Sequence, residues 1–226
     1  MLDFINKIIP HVVDKVDELW LSIWQTFVML GISGAISFVI GIVLGVTLVI
    51  TKPEGVVPKK KLFRTLEFVI NLFRSIPFVI LLAALIPLSR LIAGTAIGTT
   101  GAMVPLVFGT VPFFSRQVET ALSSIDKGLI EAAQSMGCGL SGIIFRVLLK
   151  ESIPQLIRVT QITAISLIGL TAMAGAIGGG GLGDFAIRYG HQRGQTDVTY
   201  VTVLVILIIV ALIQHTGNIV IRRNTH

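Results

Sequence analysis

The chain has 226 residues, of which 53% are hydrophobic and only 13% are charged. Soluble domains carry about 25% charged residues, and a soluble fold of this size cannot keep so much apolar surface away from water. Cys138 is the one cysteine, which excludes a disulfide framework. The net charge of +6 fits basic cytoplasmic loops better than a nucleic-acid surface. The composition therefore indicates an integral membrane protein with no nucleic-acid partner.

Residues 1–18 are predicted to form an amphipathic extracytoplasmic segment. The acidic residues among them argue against a signal peptide, which begins with a positively charged region. Apolar residues recur there at helical spacing, namely Leu2, Ile5, Ile9, Val12, Val16 and Leu19. This pattern favours a helix lying on the outer membrane surface, interrupted at Pro10.

Five long apolar runs follow, each of about the 20 residues that cross a bilayer as a helix. They cover residues 19–50, 62–88, 97–115, 153–177 and 198–221. We therefore expect an all-α integral membrane protein with five transmembrane helices, in which residues 19–226 form a single transmembrane domain.

The distribution of Lys and Arg predicts the orientation of these spans. Twelve lie in residues 51–64, 116–158 and 222–226, and five lie in residues 1–18, 89–96 and 178–197. Cytoplasmic loops are the richer in Lys and Arg. The amino terminus is therefore predicted outside and the carboxyl terminus inside.

Two polar or small-residue stripes lie within the spans. Ser33, Ser37, Gly41 and Gly45 recur every four residues in the first span, which predicts close helix packing. In the second span, one helix face about 100° wide carries Arg64, Glu67, Asn71, Arg74 and Ser75. Such a face must contact protein or water. Asn71, Arg74 and Ser75 are therefore candidate pathway residues, although a packed, buried Arg74 is the alternative. Pro77 and Pro87 predict bends further along.

A glycine-rich stretch follows the fourth span. It contains Gly178, Gly179, Gly180, Gly181 and Gly183. The G-x-G-x-x-G pattern within it does not indicate nucleotide binding, because no βαβ unit surrounds it. We expect a flexible outer loop beside the pathway, with Met173 just before it as a candidate gate residue.

No catalytic or metal-binding pattern is found. The sequence lacks a G-x-x-x-x-G-K-[ST] loop, so the chain is not expected to hydrolyse ATP. His191 and His215 have no matching Cys, His or carboxylate cluster and are not predicted metal ligands. We expect neither catalytic residues nor a cofactor in this chain.

Residues 116–152 are predicted to be a cytoplasmic coupling segment. The sequence favours a helix up to Met136, which Gly137 and Gly139 then end. An amphipathic helix that projects from a membrane domain is suited to docking in the groove of a partner.

The coupling segment resembles the EAA loop of ABC importer permeases. The resemblance lies in Glu131, Ala132, Ala133 and Gly137, followed by Val147 and Leu149. Val147 stands where this family usually has Ile, and Lys150 stands where it usually has Pro. Residues 71–78, 94–98 and 174–190 are similar to the methionine-uptake branch of these permeases.

This resemblance implies a type I ABC importer permease fold and a homodimer in the bacterial cytoplasmic membrane. It implies two ABC ATPase subunits that bind ATP and Mg²⁺, and an extracytoplasmic methionine-binding lipoprotein. Glu131, Ala132, Ala133, Gly137 and Leu149 would couple to the ATPase, and Met173 matches the family's gate residue. A permease for another amino acid or small solute, an ATP-independent secondary carrier and a non-transporting scaffold are the alternatives.

Overall fold

The computed structural model describes residues 9–224, and every regular element in that range is helical, which confirms the all-α prediction. The α-helices are α1 Pro10–Val13, α2 Val16–Thr51, α3 Lys60–Ser75, α4 Phe78–Ala84, α5 Ile86–Ala93, α6 Gly98–Ser123, α7 Lys127–Ser135, α8 Leu140–Gly142, α9 Leu149–Glu151, α10 Ile153–Ala174, α11 Gly181–Phe185 and α12 Thr196–Asn224. Wider π-helical turns occupy Ile143–Leu148, Gly175–Gly179 and Ala186–His191.

Within residues 9–224, three helical stretches are long and apolar enough to cross a membrane: Val16–Thr51, Ile153–Gly179 and Thr196–Arg222. Two bent pairs, α3 with α4 and α5 with α6, raise the number to five if each pair is one span. Five spans is the number predicted from the apolar runs.

Proline and glycine account for the breaks within the two bent pairs. α3 ends at Ser75, and Pro77, which has no N–H to donate, precedes α4. Pro87 instead lies in the first turn of α5, where a missing N–H is tolerated. Gly94 ends α5 with φ of 73°, a left-handed conformation suited to glycine, and the chain then turns by 116° into α6.

The chain divides into two compact units. The first takes the chain up to Ala35 together with Pro77–Phe108 and Ala164–Ile213. One of its cores is formed by Ile168, Leu182 and Ile209. On α2 in this unit, Trp20 and Trp24 are both exposed.

Hydrogen bonds join the short helix α1 to the start of α12 within the first unit. The backbone N–H of His11 donates to Oδ2 of Asp197 at 3.0 Å, and its ring Nδ1 lies 3.1 Å from Oδ1. Val12 is buried against Phe185 and Val198. Of the predicted segment 1–18, residues 1–8 lie outside the described residues. Its outer location stays a prediction.

The second unit comprises Ile36–Ile76, Gly109–Thr163 and the chain from Gln214 onward. Its core joins α2, α6, the coupling segment and α10 through Val46, Val49, Phe114, Val118, Ala121, Leu122, Ala133, Ile143, Leu148 and Val159. A Cβ at Gly41 would lie 2.5 Å from the Phe114 ring, and one at Gly45 would lie 2.5 Å from the Val118 side chain. The predicted close packing along this small-residue stripe is thereby confirmed.

α6 is longer than its apolar run predicts, because it continues from Ser115 to Ser123. The predicted coupling segment 116–152 therefore begins inside this helix. Arg116 and Glu119 are charged residues of the kind found in loops. Both form side-chain hydrogen bonds on the surface of α6. Polar residues can extend a helix when its neighbours satisfy them.

Candidate coupling and transport sites

The short helix α7, in the predicted coupling segment, carries the E-A-A sequence and has a capped start. The Asp126 side chain caps its start by accepting a hydrogen bond from the Gly128 N–H at 2.8 Å. Glu131 and Ala132 are exposed, whereas Ala133 is buried in the core of the second unit. The predicted coupling residues thus have two different positions: Ala133 anchors the helix, and Glu131 and Ala132 face outward.

Gly137 ends α7 in a left-handed conformation, with φ of 74°. Its N–H donates to the carbonyl of Gln134 at 2.9 Å, and the N–H of Cys138 donates to the carbonyl of Ala133 at 3.0 Å. These two bonds form a Schellman motif. Cys138 also packs beside Ala133 in the core. The spacing A-x-x-x-G is therefore the distance from the anchoring alanine to the residue that terminates the helix.

The helical stretch that follows, Leu140–Glu151, separates buried from exposed positions. Leu149 was predicted to couple to the ATPase, but it is half-buried and packs against the core together with Val147. The most exposed large apolar side chains of the predicted coupling segment are Phe145 in this stretch and Met136 just before it, which are 68% and 80% exposed. Sequence reasoning missed both. The position of Met136 directly before Gly137, the glycine that ends the helix, was the sequence signal that could have indicated its exposure.

A cleft of about 140 Å³ lies beside α7 in the second unit. It is lined by residues of the α2–α3 loop, the end of α6 and α7, including Lys52, Glu54, Lys127, Glu131 and Gln134. Nζ of Lys127 donates to Oε2 of Glu54 at 2.7 Å. This hydrogen bond lowers the pKa of Glu54 and raises the pKa of Lys127. The Glu54–Lys127 pair is exposed, so it orients the loop but adds little to stability.

The polar face of α3 is joined to α6 by one arginine. Nη2 of Arg116 donates to Oε1 of Glu67 at 3.1 Å and to Oδ1 of Asn71 at 3.4 Å. Sequence reasoning placed Glu67 and Asn71 on one face and missed Arg116 as their partner. The hydroxyl of Ser75 donates a hydrogen bond to the Asn71 carbonyl oxygen at 2.8 Å.

Arg74 is exposed on α3, and its side chain forms no hydrogen bond or ion pair with any residue in the range 9–224. Asn71 and Ser75 are exposed on the same helix. The protomer therefore does not bury Arg74. All three predicted pathway residues are exposed on the surface of this chain, and their part in a pathway stays a prediction.

The glycine-rich stretch was predicted to be a flexible loop. The structure instead shows short helical segments before and after a sharp turn of the backbone. Gly178 and Gly180 have φ of 94° and 74° and make the turn, and Gly179, Gly181 and Gly183 are buried. A Cβ at Gly183 would lie 2.2 Å from the carbonyl oxygen of Ala172. The glycines therefore allow two backbones to touch. Their flexibility and outer location stay predictions.

Two side chains of α2 hold this glycine turn in the first unit. Oε1 of Gln25 accepts from the Gly181 N–H at 2.7 Å, and Oγ1 of Thr26 accepts from the Leu182 N–H at 2.9 Å. These bonds satisfy donors at the start of α11 that have no partner within the helix. Sequence reasoning missed Gln25 and Thr26, because nothing in the local pattern links them to a turn 156 residues away.

Met173, the candidate gate residue, lies on the last turn of α10 and is 40% exposed. It directly follows Ala172, the residue against which Gly183 packs. Among residues 9–224, no three His, Cys, Asp or Glu side chains are grouped closely enough to hold a metal ion.

A family model described as "Binding-protein-dependent transport system inner membrane component" matches residues 37–224. This range contains both bent helix pairs, the coupling segment and the glycine-rich turn. The chain belongs to this family. As an inner membrane component with up to five spans, it is a multi-pass membrane protein.

This inner membrane component resembles two curated relatives over nearly its whole length. It is 47% identical over 210 residues to the "Probable D-methionine transport system permease protein MetI" of Vibrio cholerae serotype O1, with 93% of each chain covered. It is 45% identical over 215 residues to the "Methionine import system permease protein MetP" of Bacillus subtilis (strain 168), with 95% of this chain and 96% of the relative covered.

A solved structure resembles the fold of this inner membrane component closely. It is described as "Inward facing conformations of the MetNI methionine ABC transporter", with a TM-score of 0.92 and 42% sequence identity. The match covers 94% of this chain and 99% of that one. The inner membrane component therefore has the type I ABC importer permease fold that the sequence resemblance implied.

Proposed function

We propose that this chain is the membrane-spanning permease of an ATP-driven importer that carries methionine in its D form, its L form or both. The observation that carries the proposal is the 47% and 45% identity to permease proteins named for methionine transport. The E-A-A motif alone indicates an ABC importer permease and does not indicate the solute. A likeness that covers at least 93% of the chain is therefore stronger support than a single motif.

The proposed assembly contains two copies of this chain, two ABC ATPase subunits and an extracytoplasmic methionine-binding lipoprotein. The neighbouring structure is described as a methionine ABC transporter, which supports an ATPase partner. ATP and Mg²⁺ would bind on the ATPase subunits, so this chain needs no cofactor and no catalytic residue of its own. The bacterial cytoplasmic membrane would hold the assembly.

The proposed orientation has the amino terminus outside and the carboxyl terminus inside, with residues 116–152 in the cytoplasm. The excess of Lys and Arg in the segments assigned to the inside supports it. Thiol labelling tests this orientation in a Cys138→Ser background. A cysteine at exposed Met136 should react only from the cytoplasmic side, and one at exposed His191 only from the outside. The reverse pattern would overturn the orientation.

The coupling helix α7 is the proposed site at which the ATPase drives transport. Closure of the two ATPase subunits would draw the two copies of α7 together, and rigid helices would carry that motion to the pathway. Moving a two-state equilibrium from 1:99 to 99:1 takes about 5.5 kcal/mol of differential binding. The fastening of α7 at Asp126, Ala133 and Gly137 suits it to transmit force without bending.

Reconstitution into proteoliposomes tests the proposal directly. The chain is assembled with its ATPase and binding protein, and uptake of labelled D- and L-methionine is measured with and without ATP. The matched control is the same assembly with an ATPase subunit that binds but does not hydrolyse ATP. We expect uptake only with ATP and active ATPase. Uptake by this chain alone would indicate a secondary carrier, ATP-driven uptake of a different solute would indicate another cargo, and partner binding without flux would indicate a scaffold.

A further inference from the structure

Arg116 is the centre of a polar network in the second unit. Its guanidinium donates to Glu67 at 3.1 Å and to Asn71 at 3.4 Å, both on α3. It also donates through Nη1 to Glu119, three residues further along α6. The Arg116 side chain is only 25% exposed. Two of its three partners therefore lie on a different helix, α3, and the third lies on the same helix as Arg116.

This arrangement depends on the shape of arginine as well as on its charge. Arg116 uses Nη1 toward Glu119 and Nη2 toward α3, so one planar group serves two helices at once. A lysine ammonium is a compact point charge without this rigid fork. Hydrogen bonds between charged groups are also stronger than neutral ones. The network is thus a directional link between α3 and α6.

Apolar packing joins α6 to the coupling segment. α6 supplies Val118 and Leu122 to the core that also contains Ala133, Ile143 and Leu148 of the coupling segment. No member of that core comes from α3, and Ile70 is the buried residue of α3 among those described. α6 and the coupling segment therefore form one packed body, and the Arg116 network is a polar link between that body and α3.

We propose that Arg116 is a positioning residue that makes α3 move together with the coupling segment. α3 carries the candidate pathway residues Asn71, Arg74 and Ser75, and α6 leads within a few residues to Asp126, the cap of α7. Motion of α7 would pass through the shared core to α6, and through Arg116 to the pathway face. The inference rests on the proposed transport function and names the contact that serves it.

Two isosteric substitutions separate a helix link from a general need for charge. Glu67→Gln weakens the contact between helices, and Glu119→Gln makes the same chemical change on the contact within α6. Both variants are assembled with the ATPase and binding protein in proteoliposomes. The measurement is methionine moved per ATP hydrolysed, with assembly checked by size-exclusion chromatography. We expect the methionine moved per ATP to fall at least fivefold in Glu67→Gln. This fall should be at least three times as large as the fall in Glu119→Gln.

A smaller fall for Glu67→Gln, or a loss shared equally by both variants, would overturn the proposal. Should Glu67→Gln fail to assemble, Arg116→Lys serves instead, because it keeps the positive charge and removes the fork. It should lower transport per ATP at least fivefold, and an unchanged ratio would contradict the link. The wild-type assembly is measured first. If it carries a different solute, the methionine proposal fails, and the Arg116 test is then made with that solute.

Discussion

Replacing Gly137 tests whether the end of the coupling helix must be left-handed. A Cβ at Gly137 would meet nothing within 4 Å, so a small side chain there creates no clash. Its φ of 74° is nevertheless a conformation that residues with a Cβ adopt at a cost. Gly137→Ser therefore changes backbone preference and little else. Gly139→Ser is the matched control, because Gly139 also faces open space but has an ordinary φ of −67°.

The expected magnitude follows from backbone conformation. Holding a residue with a Cβ in the left-handed region costs about 1–2 kcal/mol, which corresponds to roughly a 5- to 30-fold change in an equilibrium constant. α7 is only nine residues long, and a helix of that length is marginal without its caps and packing. We therefore expect Gly137→Ser to weaken binding of the ATPase subunits by a factor in that range.

The assay is the dissociation constant of the ATPase subunits for the permease in detergent or nanodiscs, followed by ATP-driven uptake. Gly137→Ser should weaken binding and lower uptake, whereas Gly139→Ser should remain within twofold of wild type, because serine is a favoured residue at a helix N-cap. Equal behaviour of the two variants would refute the reasoning. Coupling would then not depend on the left-handed end of α7.

Three further substitutions test other parts of the molecule. Gly183→Ala forces a methyl group against Ala172 and should lower the melting midpoint by several degrees, whereas Gly169→Ala, in open space, should not; equal midpoints would contradict the packed glycine turn. Arg74→Ala should reduce uptake by at least tenfold while the amount of assembled protein stays within twofold; a fall in protein level alone would indicate a structural arginine. Glu131→Lys should abolish ATP-driven uptake without loss of membrane insertion or dimerisation, and normal uptake by a stably expressed variant would exclude a coupling role.

The number of spans and the end of α7 were predictable because both are local properties of the sequence. A run of about 20 apolar residues indicates a span wherever it occurs. The A-x-x-x-G spacing records a helix cap that is complete within six residues, from Ala133 to Cys138. Neither feature needs information from a distant part of the chain.

Features that depend on distant contacts were not predictable in the same way. The end of α6 was placed too early, because Arg116 is polar and its partner Glu67 lies 49 residues earlier. The glycine-rich stretch was predicted to be a loop, because composition alone does not distinguish glycines that give freedom from glycines that permit close packing. Leu149 was predicted to couple to the ATPase, and the sequence alone did not show that its side chain packs against the core. In each case a tertiary neighbour decides the outcome.

The two tryptophans of the chain can serve as intrinsic fluorescent probes of depth in the membrane. Trp20 and Trp24 are the only tryptophans in the sequence, and both are exposed near the start of α2. They are four residues apart, so they emit from the same side of one helix. The intrinsic fluorescence of the protein therefore reports on a single location. Lipids brominated at known acyl positions would quench that emission and measure how deeply the first helix sits, without any added label.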